Sequence, residues 1–111
     1  MLEDLLVDSV KKVRGYDIVI YDMENKNPFY DKMIIATVDS VRQANACISY
    51  IEDNLKETNY KIRKVEGENT SWVLVDCYEV ILSVFTKEER EHFSLDKLYM
   101  DIKQHRLENE D

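Results

Sequence analysis

Residues 72–85 read WVLVD-CYE-VILSVF, two β-rich runs separated by three residues. A connection this short joins neighbouring strands of a sheet in antiparallel fashion. The runs from Asp17 to Asp22 and from Met33 to Thr37 are continuous and do not alternate with polar residues. Such runs are typical of strands that are buried on both faces. The sequence therefore predicts a β-hairpin within a sheet that has helices on its faces.

The clearest predicted helix lies between the second and third strands. Ser40 followed three residues later by Gln43 is typical of a capping box. An apolar stripe at helical spacing follows, formed by Val41, Ala44, Ile48, Ile51 and Leu55. A helix between two strands permits a parallel crossover, whereas the closing hairpin requires antiparallel pairing. The sheet is therefore predicted to be mixed.

The remaining elements complete one domain. Helical spacing predicts a first helix that ends before Gly15, and a less protected strand runs from Tyr60 to Val65. Thr86 and Ser94 are predicted to cap two closing helices. The fold class is α/β (α+β), with the order α-β-β-α-β-β-β-α-α and a mixed five-stranded sheet flanked by helices. We expect a single domain over residues 1–111, with a polar tail from residue 105 to 111 that frays.

The composition favours a charged surface and a protein partner. With 23 acidic residues against 15 basic ones, the formal net charge is -8. Direct binding of a nucleic acid backbone relies on clustered Lys and Arg, so this balance argues against it, while a basic partner would be attracted. No apolar run approaches the roughly 20 residues of a membrane span. The N-terminus lacks a secretory signal, so we expect a cytoplasmic protein without membrane association.

The usual signatures of catalysis and metal binding are missing. Cys47 and Cys77 have no CxxC partner and no neighbouring His, so they indicate neither a disulfide framework nor a zinc site. Two glycines are too few for a phosphate-binding loop, and there is no P-loop or GxSxG motif. We therefore predict a protein that is not an enzyme and has no cofactor or metal.

One carboxylate pattern keeps an enzymatic alternative open. Asp22 and Glu24 lie two apart at a strand end, and Asp76 ends another strand. Three carboxylates can hold the magnesium ions used in nucleotidyl transfer. Acidic residues at strand ends are also commonly just solvated. A minimal magnesium-dependent nucleotidyltransferase that uses these three residues is the alternative hypothesis.

Trp72, the only tryptophan, begins a strand after a loop that contains Glu66 and Gly67. A tryptophan in this position can belong to the core, or it can be an exposed anchor of a protein interface. The periodicity of the sequence does not separate these two interpretations.

From Asp17 to Tyr99, several blocks in order resemble the ribosomal silencing factor family, also called Iojap-like. The blocks are the strand at 17–22, MIIAT at 33–37 followed by SVRQ at 40–43, VEG at 65–67, WVLVD at 72–76, VF at 84–85 and REHFSLDKLY at 90–99. Each block is weak alone, but their order and spacing together are specific.

The resemblance implies a nucleotidyltransferase-like sheet without transferase activity. It further implies binding of the large ribosomal subunit through ribosomal protein uL14, which sterically blocks association with the small subunit and represses translation. A link to ribosome biogenesis and a homodimer are implied as well. Trp72 is implied to bind the partner, together with Glu66, Gly67, Val73 and Arg42.

Two departures from the family pattern bear on function. Ser83 stands where the family has a histidine, and Tyr78 stands in place of a family glycine. Without that histidine, the best candidate for acid/base chemistry is absent. The departures favour binding over catalysis.

Overall fold

The structure is a computed structural model that describes residues 1–107. Its elements in chain order are α1 (Leu2–Lys12), β1 (Tyr16–Asp22), β2 (Lys32–Val38), α2 (Val41–Leu55), β3 (Lys64–Glu66), β4 (Trp72–Asp76), β5 (Val80–Thr86), α3 (Lys87–Phe93), α4 (Leu95–Leu98) and β6 (Gln104–Arg106). Within this part of the chain, no helix is both long and apolar enough to cross a bilayer.

The strands form one mixed sheet in the order β3-β4-β5-β2-β1-β6. β2 and β5 run parallel along their whole length, and the other neighbours are antiparallel. The hairpin of β4 and β5 and the mixed sheet are confirmed. The sheet has six strands, so the prediction of five was wrong.

The sixth strand lies where the sequence predicted a frayed tail. Gln104–Arg106 pairs with β1, and the Leu107 N–H donates to the Ile18 carbonyl at 2.9 Å. The prediction of fraying was therefore wrong for residues 105–107, and residues 108–111 lie outside the described residues. All three residues of β6 are exposed, because this strand forms through backbone pairing with an edge and not through apolar burial.

Side-chain hydrogen bonds account for the starts of two of the helices, α2 and α3. The Gln43 N–H donates to Ser40 Oγ at 3.2 Å, and the Gln43 side-chain oxygen accepts from the Asp39 N–H at 3.2 Å. Thr86 caps α3 as predicted. Ser94 was predicted to cap α4, but its side chain makes no such bond. Instead, its φ of 54° ends α3 in the left-handed conformation.

The two faces of the sheet are covered unequally. The amphipathic helices α1 and α2 cover the first face and bury the main core, which includes Leu6, Val10 and Ile51. On the second face, a smaller cluster around Tyr21, Ile35 and Phe85 lies under the segment that contains α3 and α4. Both of these helices are short, and neither has a fully buried residue. Part of the second face therefore remains uncovered.

A first prediction concerns Gly15, where α1 turns into β1. A Cβ atom there would lie 2.3 Å from Val10 Cγ1 and 3.0 Å from the Val10 carbonyl oxygen. We expect Gly15→Ala to lower the free energy of unfolding by about 1–3 kcal/mol through overpacking, measured by urea denaturation.

The neighbouring position provides the control. Arg14 has a φ of 62°, which suits glycine, so Arg14→Gly should change the free energy of unfolding by less than about 1 kcal/mol. Equal destabilisation by both changes would contradict the steric explanation.

Candidate protein-binding site

The uncovered part of the second sheet face lies along β3 and β4. Side chains alternate along a strand, so Trp72 and Leu74 project to this face while Val73 and Val75 point into the helix-covered core. Lys64 and Glu66 of β3 extend the same surface to the edge of the sheet. We call the surface formed by β3 and β4 on this side the open face.

Trp72 stands at the border between the open face and the covered part. Its ring stacks on Phe85 with centroids 4.8 Å apart and contacts Phe93 of α3 at 4.4 Å. The indole Nε1–H donates to Ser83 Oγ at 3.2 Å. The residue is nevertheless only half-buried. Trp72 is therefore both a packing residue and a surface residue, which is why sequence periodicity could not assign it to one class.

A groove lies on the same face as Trp72, toward the other end of β4. It encloses about 500 Å³ and has an apolar floor formed by Met33, Leu74 and Ile81. Its border includes two exposed aromatic side chains, Phe29 with 83% and Tyr78 with 55% of the surface exposed. An apolar floor next to exposed aromatic rings is suited to the side chains of a protein partner.

The charged groups around the groove are largely paired. Arg63 donates to Asp76 Oδ2 through Nε at 2.9 Å and through the terminal nitrogen at 2.7 Å. Lys64 forms an ion pair with Glu66 at 3.0 Å. Lys64 and Glu66 are both exposed, so their ion pair contributes little energy on its own. Asp76 is buried and its charge is met by Arg63, so the apolar floor remains the main feature of the groove.

Gly67 shapes the turn that leads into β4. Its φ of 78° is in the left-handed region, and a Cβ atom would lie 2.0 Å from the Trp72 carbonyl oxygen. Only glycine fits this approach without moving the chain. Gly67 thus allows the turn to bring the chain close to Trp72, the first residue of β4.

The other residues that the resemblance assigned to binding lie in different surroundings. Glu66 is exposed on the open face. Val73 has no exposed surface, so it can serve a partner only by supporting the strand. Arg42 is exposed on the helix layer, beside Lys12 and Tyr50, and does not adjoin Trp72. Their roles in binding stay predictions.

The three carboxylates of the alternative hypothesis are not brought together. β5 and β2 separate β4 from β1, which places Asp76 roughly 14 Å from Asp22 at about 4.8 Å per strand. Asp22 borders the helix-covered face, whereas Asp76 lines the groove on the second face. Glu24 lies in the turn after β1, where its N–H donates to Asp22 Oδ1. Within residues 1–107, no group of three or more His, Cys, Asp or Glu is arranged to hold a metal ion.

Sequence reasoning missed a network that fixes the closing helices. Arg90 donates to both carboxylate oxygens of Asp96, at 3.0 Å each, and to Thr37 Oγ1 at 2.8 Å. Arg90 also donates to the Asp17 carbonyl, and the Tyr21 hydroxyl donates to Asp96 Oδ1 at 2.6 Å. We call Arg90, Asp96, Tyr21 and Thr37 the Arg90 network. The partners lie up to 75 positions apart, so no local pattern could have found it.

The surroundings of Asp96 favour its ionised form. Burial alone would raise the pKa of this carboxyl, but the hydrogen bonds from Arg90 and Tyr21 outweigh it and hold the pKa below the usual value. Burial, together with the bond to Asp96, raises the pKa of Tyr21. At neutral pH the network is thus an ionised carboxylate bound by a guanidinium and a neutral hydroxyl.

Comparisons with known proteins identify the family of the chain. The family model described as "Ribosomal silencing factor during starvation" matches residues 2–111. The chain belongs to the ribosomal silencing factor family. A relative named ribosomal silencing factor RsfS from Bacillus subtilis is 36% identical over 89 residues, which are 79% of this chain and 75% of that one. A relative of the same name from Haemophilus influenzae is 31% identical over 99 residues. The match covers 88% of this chain and 97% of that protein.

Solved structures extend the likeness to the fold. A crystal structure of a protein from Chromobacterium violaceum superposes with a TM-score of 0.83 at 30% identity, over 89% of this chain and 83% of that one. A protein from Bacillus halodurans gives a TM-score of 0.81 at 28% identity, over 96% of this chain and 97% of that one.

A more distant relative comes from Mus musculus and is named "Mitochondrial assembly of ribosomal large subunit protein 1". It is 25% identical, over 86% of this chain and 44% of the mouse protein.

Tyr78, which the resemblance sets in place of a glycine, lies in the β4–β5 turn and has an unusual backbone conformation. Tyr78 adopts a φ of 70°, a conformation that glycine reaches without strain and other residues reach at a cost. Its N–H donates to Asp76 Oδ1 at 2.9 Å, which helps to hold the turn. The tyrosine thus presents an exposed aromatic ring at the groove from a turn conformation that favours glycine.

A second prediction concerns the pH dependence of stability. The pKa of Asp96 is lower in the folded state than in the unfolded chain. Ionised Asp96 therefore stabilises the fold above its unfolded pKa of about 3.9, and this contribution is lost as pH falls through the folded value. The free-energy advantage of wild type over Asp96→Asn should be constant at neutral pH and shrink below about pH 4. Urea denaturation of both proteins across this range measures it.

An exposed aspartate outside the network is the control. Asp101→Asn should follow the wild-type profile throughout. An advantage over Asp96→Asn that does not change with pH would contradict the ionic role of Asp96.

Proposed function

We propose that this protein binds the large ribosomal subunit through ribosomal protein uL14 and sterically blocks its association with the small subunit, which represses translation. Membership of the family supports the ribosomal role, since the relatives are named ribosomal silencing factors. The open face supports binding as the mode of action. We further propose that the protein acts in the cytoplasm, without a catalytic step.

One observation carries the proposal: a half-buried tryptophan at the border of a sheet face that α3 and α4 cover only in part, with an apolar groove at the other end of the same strand. The Trp72 ring packs against Phe85 and Phe93, and the groove farther along β4 offers Leu74 and Ile81 as an apolar floor. Interface hot spots are enriched in tryptophan at well-packed, desolvated positions. Trp72 is therefore proposed as the central anchor, with Glu66 and Gly67 beside it.

Charge supports the choice of a basic partner. The formal net charge is -8, and the two basic residues at the groove, Arg63 and Lys64, are each paired with a carboxylate. The negative field attracts a positively charged surface and speeds encounter with it. A ribosomal protein, which itself binds RNA, is expected to present such a surface.

A second function in the same class is assembly of the large subunit without blocking of subunit joining. The name of the mouse relative, Mitochondrial assembly of ribosomal large subunit protein 1, favours this alternative. Both functions use the same binding step and differ in whether the bound subunit can still join its partner. The proposed homodimer stays a prediction that sedimentation equilibrium can test.

A third prediction tests the binding step. Wild-type protein should co-sediment with isolated large subunits and not with small subunits. Trp72→Ala should weaken binding at least about tenfold, which corresponds to roughly 1.4 kcal/mol, because the anchor and its contacts are removed. Pelleting at several protein concentrations gives the dissociation constant of each variant.

The matched control is Tyr50→Ala, which removes an exposed aromatic residue from the helix layer on the other side of the sheet. It should change the dissociation constant by less than about twofold, well below the effect of a hot spot. Arg42→Ala tests separately whether the helix layer takes part. Binding of wild type to neither subunit, or full binding by Trp72→Ala, would contradict the proposal.

A subunit-joining assay separates the two functions. Purified large and small subunits are mixed with and without the protein, and the joined ribosomes are counted on a sucrose gradient. Silencing predicts fewer joined ribosomes, with Trp72→Ala as the inactive control. Binding without any loss of joining would favour the assembly function.

A further inference from the structure

The helix that forms one wall around Trp72 has little packing of its own. α3 has seven residues, none of them fully buried, yet its residue Phe93 contacts the Trp72 ring at 4.4 Å. The other aromatic neighbour, Phe85, belongs to β5 and is almost fully buried. One aromatic contact of the tryptophan is thus fixed by the sheet, whereas the other depends on the contacts that hold α3.

The Arg90 network is the main polar attachment of that helix to the sheet. Arg90 lies on α3 three residues before Phe93, and only 12% of its side chain is exposed. Its guanidinium reaches Thr37 of β2 and the Asp17 carbonyl of β1, while Asp96 after the helix accepts from Tyr21 of β1. A bidentate Arg–carboxylate pair fixes direction as well as distance. The network therefore ties both ends of the turn after Phe93 to the central strands.

The start of α3 is attached separately. Ser71, which precedes Trp72, donates to Glu89 Oε1 at 2.6 Å, and the Thr86 N–H donates to the Ser71 carbonyl. These bonds hold the beginning of the helix near the beginning of β4. The Arg90 network holds its end, and Phe93 lies at that end.

We propose that Arg90, acting with Asp96 and Tyr21, is a positioning residue that holds Phe93 against Trp72 and so fixes the indole before the partner binds. This inference rests on the proposed function for its effect on affinity, but not for its effect on Trp72 itself. A side chain that is ordered in advance loses less conformational entropy on binding. None of the three residues lies in the groove or on the open face.

The tryptophan reports its own environment, since the chain contains only one. Fluorescence of the free protein, with acrylamide as collisional quencher, measures how accessible the indole is. Arg90→Lys keeps the positive charge but loses the bidentate geometry. We expect it to raise the quenching constant of Trp72 about twofold and to shift the emission to longer wavelength, with Phe93→Ala changing both in the same direction.

Binding provides the second measurement, with isolated large ribosomal subunits as the probe. Arg90→Lys should weaken binding about fivefold in the otherwise wild-type protein. In a Trp72→Ala background the same change should alter affinity by less than twofold, because the group that it positions is absent. Ile51→Val, a core change on the helix-covered face, is the control for lowered stability and should alter neither the quenching nor the affinity.

Tyr21→Phe is the milder variant, since it removes a single hydrogen bond to Asp96. Tyr21→Phe is measured in place of Arg90→Lys if circular dichroism shows that Arg90→Lys does not fold. We expect it to raise the quenching constant of Trp72 by less than Arg90→Lys would. Unchanged quenching in a folded network variant would overturn the proposal, as would equal loss of affinity with and without Trp72. If wild type does not bind the large subunit, the proposed function fails, and the quenching result alone decides whether the network positions Trp72.

Discussion

The parallel pairing of β2 with β5 is the constraint on which the rest of the structure depends. These strands are buried and pair in register from Lys32 with Val80 to Val38 with Thr86. Two parallel neighbours need a long connection that crosses over the sheet. That connection contains α2, β3 and β4, so the last two strands are added at the outside of β5. The position of the open face at one side of the sheet follows from this topology.

The same constraint explains why the two faces are covered differently. α2, as part of the crossover, packs with α1 on one face and supplies a long apolar stripe. The second face receives the segment that the chain provides after β5, namely two short helices and a turn, together with Met23 and Tyr30 from the connection between β1 and β2. This segment covers β1, β2 and β5 through Leu95, Tyr99 and Ile102, but it does not extend to the far side of β4. Trp72 lies where this cover ends.

The sequence predicted the features that depend on neighbouring residues. The hairpin, the Ser40–Gln43 cap and the mixed sheet follow from local spacing, and all are present. β6 was missed because its polar residues form a strand only by pairing with β1. The distance between Asp22 and Asp76 required the strand order, which a single sequence does not contain. The sequence left open whether Trp72 belongs to the core or to an exposed surface, because alternation along a strand does not tell which face of the sheet is uncovered.

The position of Ser83 clarifies how its departure from the family pattern bears on the site. Ser83 has no exposed surface and lies beneath Trp72, where its hydroxyl accepts from the indole and contacts Met33 Sδ at 3.8 Å. Ser83 pairs across the strands with Leu74 on the open face, so a side chain at this position bears on that face as well as on the tryptophan. A histidine here would bear on the orientation of the indole ring, because a larger group must share the same buried space. We therefore expect the residue at position 83 to influence how Trp72 is presented, as the Arg90 network is proposed to do through Phe93.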